Sequence, residues 1–346
     1  MNRFEFIVFG SGSISNQIRH QSSTGLTFSP VNRRKQMWLF DCGDGTLQQM
    51  HRFSREFRKN QISKVFITHL HIDHASGLPA LIADLGIAQG SNPKYSLDIY
   101  GPCHLASMFL PVLYYCKMDN MCKVHIHEFL NEGEVLDNVE AFRSPNITVS
   151  AIYPEADGYW TCFDSPDGCM RCGSLVHVVP CWGYCFQEKI ADEAAVGNGV
   201  KPKKVAVFGD TCDSSQVESL VQNCDILFHE CSYGPILMDM ERDVLTMEDY
   251  DYDELERKML QQAPYKARWD KIEAAAILWR HSTAEMAGSY ATKVKAKKLV
   301  IFHLGARYDV RNYKNAEKIN QMLRNRVARF YDGSIEVAYD GITVLV

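Results

Sequence analysis

The feature that most constrains this chain is a repeated one: short apolar, β-prone runs that stop at a histidine or a carboxylate. Val65-Phe66-Ile67-Thr68 ends at His69, Lys204 to Phe208 at Gly209-Asp210, Ile226-Leu227-Phe228 at His229-Glu230, and Leu299 to Phe302 at His303. Two further runs, Phe4 to Phe9 and Met37 to Phe40, end in the turns Gly10-Ser11-Gly12-Ser13 and Asp41-Cys42-Gly43-Asp44-Gly45. Short runs of β-branched and aromatic residues bounded by turn residues read as buried strands. Strands that deliver polar groups at their ends place chemistry on a rigid scaffold, while loops shape the space around it. Helical patterns lie between them, around Leu78 to Leu85, Ser214 to Gln222, Trp269 to Trp279, Ala284 to Val294 and Asn315 to Phe330. The alternation predicts sheets covered by helices, α/β or α+β.

Residues 234 to 270 break this rhythm. Met238-Asp239-Met240-Glu241-Arg242-Asp243 and Glu248-Asp249-Tyr250-Asp251-Tyr252-Asp253-Glu254 are acidic, methionine-rich and aromatic without a strand pattern. They predict an insertion with one or two helices in a single domain spanning residues 1 to 346. At 346 residues and 46% hydrophobic, the chain can bury a large core without disulfides. A net charge of −5 and a pI near 6.2 exclude a basic coat, so a nucleic-acid partner must be held by a local patch. No run approaches the roughly 18 to 20 apolar residues of a membrane span. The opening Met1-Asn2-Arg3-Phe4 has no signal-peptide or transit-peptide character, and twelve cysteines without a secretion signal read as reduced thiols. A soluble cytoplasmic protein is expected.

Thr68-His69-Leu70-His71-Ile72-Asp73-His74 concentrates four imidazole and carboxylate groups in six residues after a strand. A lone histidine there reads as part of a solvated loop. Four such groups together read as ligands, because imidazole and carboxylate hold zinc and similar borderline ions while leaving a position open for water. The spacing lets His69 and His71 face one ion while Asp73 and His74 face a neighbour.

This motif resembles the His-x-His-x-Asp-His signature of the metallo-β-lactamase superfamily, and further landmarks follow in order. Asp41 resembles the buried acid that supports the metal loop, His177 the third histidine of one site, Asp210 the carboxylate bridging both ions, and His303 the last ligand of the second ion. The resemblance implies an αββα sandwich and two divalent ions, with zinc expected and manganese or iron able to share such ligands. Three stretches are similar to ribonuclease Z, the endonuclease that removes 3′ trailers from precursor tRNA. They are Leu39 to Thr46, His177 to Tyr184, and His281-Ser282-Thr283 paired with Ile301 to Tyr308. The implied activity is phosphodiester hydrolysis on RNA, with precursor tRNA as partner and a homodimer as the assembly. Asp73 is the candidate to orient or deprotonate the nucleophile, His281 to protonate the leaving oxygen, and Glu230 to orient His281. Arg307, close to His303, is the candidate phosphate clamp.

The chain departs from ribonuclease Z where that family's tRNA-gripping arm projects. Only 32 residues separate His177 from Asp210, and Gly197-Asn198-Gly199 reads as an ordinary turn. Basic clusters that can replace the arm are Arg33-Arg34-Lys35, Lys201 to Lys204, Lys293 to Lys298 and Arg324 to Arg329; each reads equally as solvated charge. Cys162, Cys169 and Cys172, with Cys181 and Cys185, read as buried thiols or as a structural zinc site. Two other functions fit the same residues. One is hydrolysis of a small phosphodiester, such as a cyclic nucleotide, or of a thioester. The other is a catalytically silent scaffold or RNA-binding subunit.

Overall fold

A computed structural model describes residues 4–346 except 15, 17, 31–33, 56, 90–91, 93, 191–198, 235, 237–251 and 310–312. Fifteen strands among the described residues form two sheets. The first contains β1 (Phe4–Gly10), β2 (Ser23–Phe28), β3 (Gln36–Phe40), β4 (Ile62–Phe66), β5 (Ser96–Pro102), β6 (Lys123–Phe129), β7 (Ile147–Ile152) and β15 (Thr343–Leu345). Its spatial order is β15-β1-β2-β3-β4-β5-β6-β7. The second contains β8 (Trp160–Ser165), β9 (Gly168–Leu175), β10 (Cys181–Glu188), β11 (Lys204–Phe208), β12 (Ile226–Glu230), β13 (Lys298–Phe302) and β14 (Ser334–Val337), in the order β14-β13-β12-β11-β10-β9-β8. Strands β3 to β7 run parallel, as do β11 to β14.

Side chains alternate faces along a strand, and here both faces of both sheets are apolar. Phe6 and Val8 of β1 turn toward the second sheet, whereas Ile7 and Phe9 turn toward helices. The layer between the sheets is aromatic, with the Trp38 and Phe186 ring centres 4.9 Å apart and those of Phe4 and Phe28 4.6 Å apart. Outside the first sheet pack α1 (Thr46–Arg52), α3 (Leu78–Gln89) and α4 (Leu105–Tyr115); the short α2 (Ile72–Ala75) lies in the histidine-rich loop. Outside the second pack α5 (Glu218–Val221), α6 (Tyr252–Leu260), α7 (Ala263–Leu278), α8 (Ala284–Lys293) and α9 (Tyr313–Ala328). The layers run helix, sheet, sheet, helix, the sandwich expected from the resemblance.

Within residues 234 to 270 the described part carries α6 and the first half of α7; the acidic stretch 237–251 lies outside the described residues. From residue 252 to 280 five carboxylates accompany six lysines and arginines, so the described part is not an acidic surface. Arg326 of α9 tethers it. Its guanidinium lies 4.6 Å from the Trp269 ring centre, 3.7 Å from Glu256 and 2.9 Å from Glu285.

The cysteines do not converge. Cys162 and Cys172 face the layer between the sheets, with sulfurs 3.9 Å apart, while Cys181 and Cys185 face the helices beyond the second sheet. Cys169 and Cys172 are an odd number of residues apart on β9, so the pleat sends them to opposite faces. All twelve are free thiols. Among the described residues, no group able to hold a metal includes a cysteine. Of the Gly197-Asn198-Gly199 turn, the first two residues lie outside the described ones.

Candidate metal centre

The ligand-bearing loops gather at one end of the sandwich because the strands before them are parallel. Asp41 follows β3, the His69 to His74 loop follows β4, Asp210 follows β11, Glu230 closes β12 and His303 follows β13. His177 instead precedes β10, which runs antiparallel to β11, so its start lies at the same end. The sheets are joined there by backbone, Trp182 N–H donating to Thr68 O at 3.0 Å, while Gly209 N–H donates to Trp182 O at 3.2 Å within the second sheet. Tyr184 Oη–H adds a bond to Ile67 O at 2.7 Å.

Asp41 shapes the histidine loop. Its carboxylate accepts from Thr68 N–H at 2.7 Å and Thr68 Oγ1–H at 2.9 Å, and stands 2.7 Å from His74 Nδ1. That leaves Nε2 of His74 facing the centre. Gly43 and Gly77 permit the close approach of the two loops. A Cβ on Gly43 would meet the Asp73 carbonyl oxygen at 2.2 Å, and one on Gly77 the Gly43 carbonyl oxygen at 2.5 Å. Asp41 and His303 take left-handed backbone angles, φ 56° and 53°, where side-chain-bearing residues are strained by about 1–3 kcal/mol.

Two ligand groups result. His69, His71, His177 and Asp210 bring ligand atoms within 4.8 Å of one another, as do Asp73, His74 and His303. Asp210 stands between them, 3.7 Å from His69 Nε2 through one oxygen and 3.5 Å from His74 Nε2 through the other. The donor set fits metal ions on three grounds. His69 Nε2 and Asp210 Oδ1 are buried without a hydrogen-bond partner, a costly state unless a cation accepts their lone pairs. His74 Nε2 and His303 Nε2 face each other at 3.0 Å, which suits two nitrogens aimed at one ion. The separations of 3.3 Å between His71 Nδ1 and His177 Nε2, and between His303 Nε2 and Asp73 Oδ2, are close to the ~3.3–3.4 Å implied by tetrahedral bonds of ~2.0–2.1 Å.

Electrostatics prepare these groups for cations. Burial pushes the pKa values of His69, His71 and His177 down, keeping their imidazoles neutral. Burial opposes the charge on Asp210, yet His303, His74 and His69 hold it well below the usual carboxylate range. Asp73 behaves alike, with His74 and His303 outweighing desolvation. His74 is raised despite burial by Asp210, Asp41 and Asp73, so a bound ion must displace a favoured proton.

Beside the cage, Nδ1 of His281 lies 3.0 Å from Glu230 and 3.7 Å from Asp210. Glu230 is fully buried and also accepts backbone N–H bonds from Thr211, Ser232 and Ser282 at 2.8–3.0 Å. With the protein's own charges alone, Glu230 and Asp210 overcome desolvation and lift the His281 pKa to about 9. Asp210, His281 and His303 also converge closely enough to form a third ligand group. Arg307 is exposed, with its guanidinium 5.4 Å from the Tyr233 ring centre; that ring lies 5.8 Å from His281.

Several supporting residues escaped the sequence reading. Ser232 Oγ lies 2.7 Å from His303 Nδ1, the Arg280 carbonyl 2.9 Å from His177 Nδ1, and Cys181 Sγ 3.7 Å from His69 Nδ1. Ser232 follows a strand and Arg280 precedes His281, and only these positions mark them; Cys181, a candidate thiol, opens β10 after His177. The basic clusters expected to grip RNA lie elsewhere. Arg34 and Lys35 precede β3, Lys201 to Lys204 open β11, and Lys293 to Lys298 open β13, all at strand starts, whereas the cage lies beyond the strand ends. At ~3.3 Å per residue, Lys204 stands about 20 Å from Asp210. Lys203 and Lys297 pair with Asp225, and Lys204 Nζ binds the Leu220 and Gln222 carbonyls. Arg324 pairs with Glu336, and Arg326 and Arg329 with Glu256. Arg33 lies outside the described residues.

A family model described as anti-Pycsar protein Apyc1 matches residues 4–103. Along nearly the whole chain, similarity runs to ribonucleases. Ribonuclease BN of Cronobacter sakazakii is 29% identical over 341 residues, covering 93% of this chain and 94% of its own. Ribonuclease Z of Bacillus mycoides is 29% identical over 324 residues, covering 91% and 92%. Among solved structures, human tRNase Z, short form, superposes with a TM-score of 0.64 at 20% identity, covering 98% of each chain. The metallo-β-lactamase fold protein YhfI from Bacillus subtilis gives 0.59 at 15% identity, covering 99% of this chain. Cage, layer order and these likenesses agree: this chain has the metallo-β-lactamase fold and resembles ribonuclease Z over nearly its whole length.

Proposed function

We propose that the chain is a metal-dependent endoribonuclease that removes 3′ trailers from precursor tRNA. The observation that carries this reading is the convergence of seven residues able to hold metal ions beside a His281–Glu230 couple, in a chain that matches ribonucleases along its length. His69, His71 and His177 would hold one ion, Asp73, His74 and His303 the other, and Asp210 both, with zinc the expected metal. Two divalent ions, when bound, would supply an activated water and Lewis acidity toward the attacking and leaving oxygens of a phosphodiester. Asp73 would orient the attacking water and take up its proton. Glu230 accepts the Nδ1–H of His281 and its charge favours the doubly protonated ring, whose Nε2–H would be given to the leaving oxygen. Arg307 holds a non-bridging phosphate oxygen. The protein acts as a homodimer in the cytoplasm.

A second reading is favoured by the short stretch between His177 and Asp210, with 32 residues where ribonuclease Z carries its arm. The same cage would then cut a small phosphodiester. A 3′-extended tRNA transcript, with the cleavage position mapped, and methyl p-nitrophenyl phosphate tested in parallel separate the two. A cut at the boundary of the mature tRNA supports the first reading. Turnover of the small ester with the transcript intact overturns it in favour of the second.

A further inference from the structure

All five tryptophans of the chain are described. Trp38, Trp160, Trp182 and Trp269 lie in the core at no more than 5% exposure, whereas Trp279 is 58% exposed. Its backbone is not loose. Trp279 N–H donates to Ala275 O at 3.0 Å, ending α7, and His281 N–H to Ala276 O at 2.8 Å. Between them Arg280 takes a left-handed φ of 55° and offers its carbonyl to His177. The chain thus anchors this segment to both His177 and His281 while leaving the indole in solvent. Ile277 and Leu278 beside it are 62% and 73% exposed. On the other ligand loops Ile72, between His71 and Asp73, is 57% exposed, and Val178, after His177, is 51% exposed. Single exposed apolar residues are ordinary; five large ones on three of the four segments that carry site histidines point to something apolar that settles there.

We propose that Trp279 is a stacking platform for the nucleobase next to the scissile phosphodiester, with the Arg280 guanidinium set against an adjoining phosphate. The inference rests on RNA being the substrate, and it names how that RNA is held without an arm. A nucleobase has the required chemistry, two apolar π faces flanked by phosphates, and an indole accepts any base because every base has such a face. The clusters at the strand starts are about 20 Å from the cage. The end of α7 therefore supplies contact at the reacting end of the RNA.

The test uses metal-loaded protein with matched metal content and thermal midpoint. Trp279→Ala should raise KM for the 3′-extended tRNA about tenfold, the scale of one lost base–aromatic stack, with kcat nearly unchanged, and Trp279→Phe should recover most of the loss. A substrate abasic at the flanking nucleotide should cost the parent a similar factor, and variant plus abasic substrate no more than either alone. A short single-stranded RNA should quench parent tryptophan fluorescence, and Trp279→Phe should lose that quenching. Unchanged KM and quenching in the variants overturn the proposal, including the outcome in which Trp279→Ala only converts a dimer to a monomer in sedimentation. If the parent leaves the transcript intact but hydrolyses methyl p-nitrophenyl phosphate, the tRNA reading fails; the fluorescence titration still decides the platform, and absence of quenching overturns it.

Discussion

Asp73 and His281 both stand beside His303 but in different environments, and the difference separates their expected contributions. Asp73 faces His303 and His74 inside the cage, at 3.3 and 3.8 Å, so Asp73→Ala should remove turnover and reduce bound metal together. His281 is held from behind by Glu230, and losing a proton donor costs about 10²–10⁴ in rate. His281→Ala should therefore slow turnover on that scale while elemental analysis still finds the parent's metal content. A variant that loses an ion would assign His281 to the third ligand group instead. Away from the cage, Asp98 is disfavoured as an anion by burial, but a hydrogen bond with His127 and the Lys64 ammonium outweigh this and pull its pKa to about 2. A carboxylate depressed by roughly two units contributes about 2 kcal/mol above its unfolded pKa. That contribution should fade as pH falls from about 4 toward 2, so urea titrations of the parent and Asp98→Asn should differ at pH 6 and converge near pH 2. The histidine cluster could be read from the sequence because four ligand types crowd six residues. Ser232 and Arg280 could not, since each meets its histidine across 71 or 103 positions of chain.

Elements were legible where one period dominated. The runs ending in His69, Asp210, Glu230 and His303 are strands because β-prone residues buried on both faces leave no competing pattern. His177 lay outside that logic, as it precedes an antiparallel strand. The Cys-x-x-Cys pattern of Cys169 and Cys172 suggested a clasp, but on a strand a separation of three positions sends the thiols to opposite faces. The helix pattern around Trp269 to Trp279 marked only the second half of α7, because the first half, Ala263 to Arg268, lacks an apolar stripe. Arg326 stacks on Trp269 and pairs with Glu256 and Glu285 while being largely buried, so Arg326→Ala loses packing as well as charge. The expected loss is about 1–3 kcal/mol, concentrated in α6 and α7. Hydrogen exchange should show these helices opening before the sheets, and protection lost evenly across the molecule would refute such a local tether.

At the scale of the molecule, ions held only by the folded cage should stabilise it by mass action. An ion at a hundred times its dissociation constant adds about 2.7 kcal/mol, which for a chain of this size lowers the thermal midpoint by about 4 °C on chelation. Equal midpoints with and without chelator would speak against a filled cage. Because Lys203 and Lys204 are tied down at the far end of the second sheet, replacing Lys201, Lys203 and Lys204 with Ala should leave the salt dependence of RNA binding unchanged. A slope flattened by about three units would show instead that RNA wraps to that end. The layer order followed from the resemblance, whereas periodicity alone reached only α/β; which ends of the strands meet is settled by pairing between distant segments.

One such pairing, β1 with β15, joins Glu5 to Leu345 and has a consequence for assembly on the ribosome. Strand β1 leaves the ribosome before the other described strands, and its outer edge stays uncovered until β15 has been made. During that interval a hydrophobic strand presents unpaired N–H and C=O groups, a template for another chain. Contacts this distant in sequence also close slowly. Nascent chains paused short of β15 should therefore recruit chaperones or self-associate.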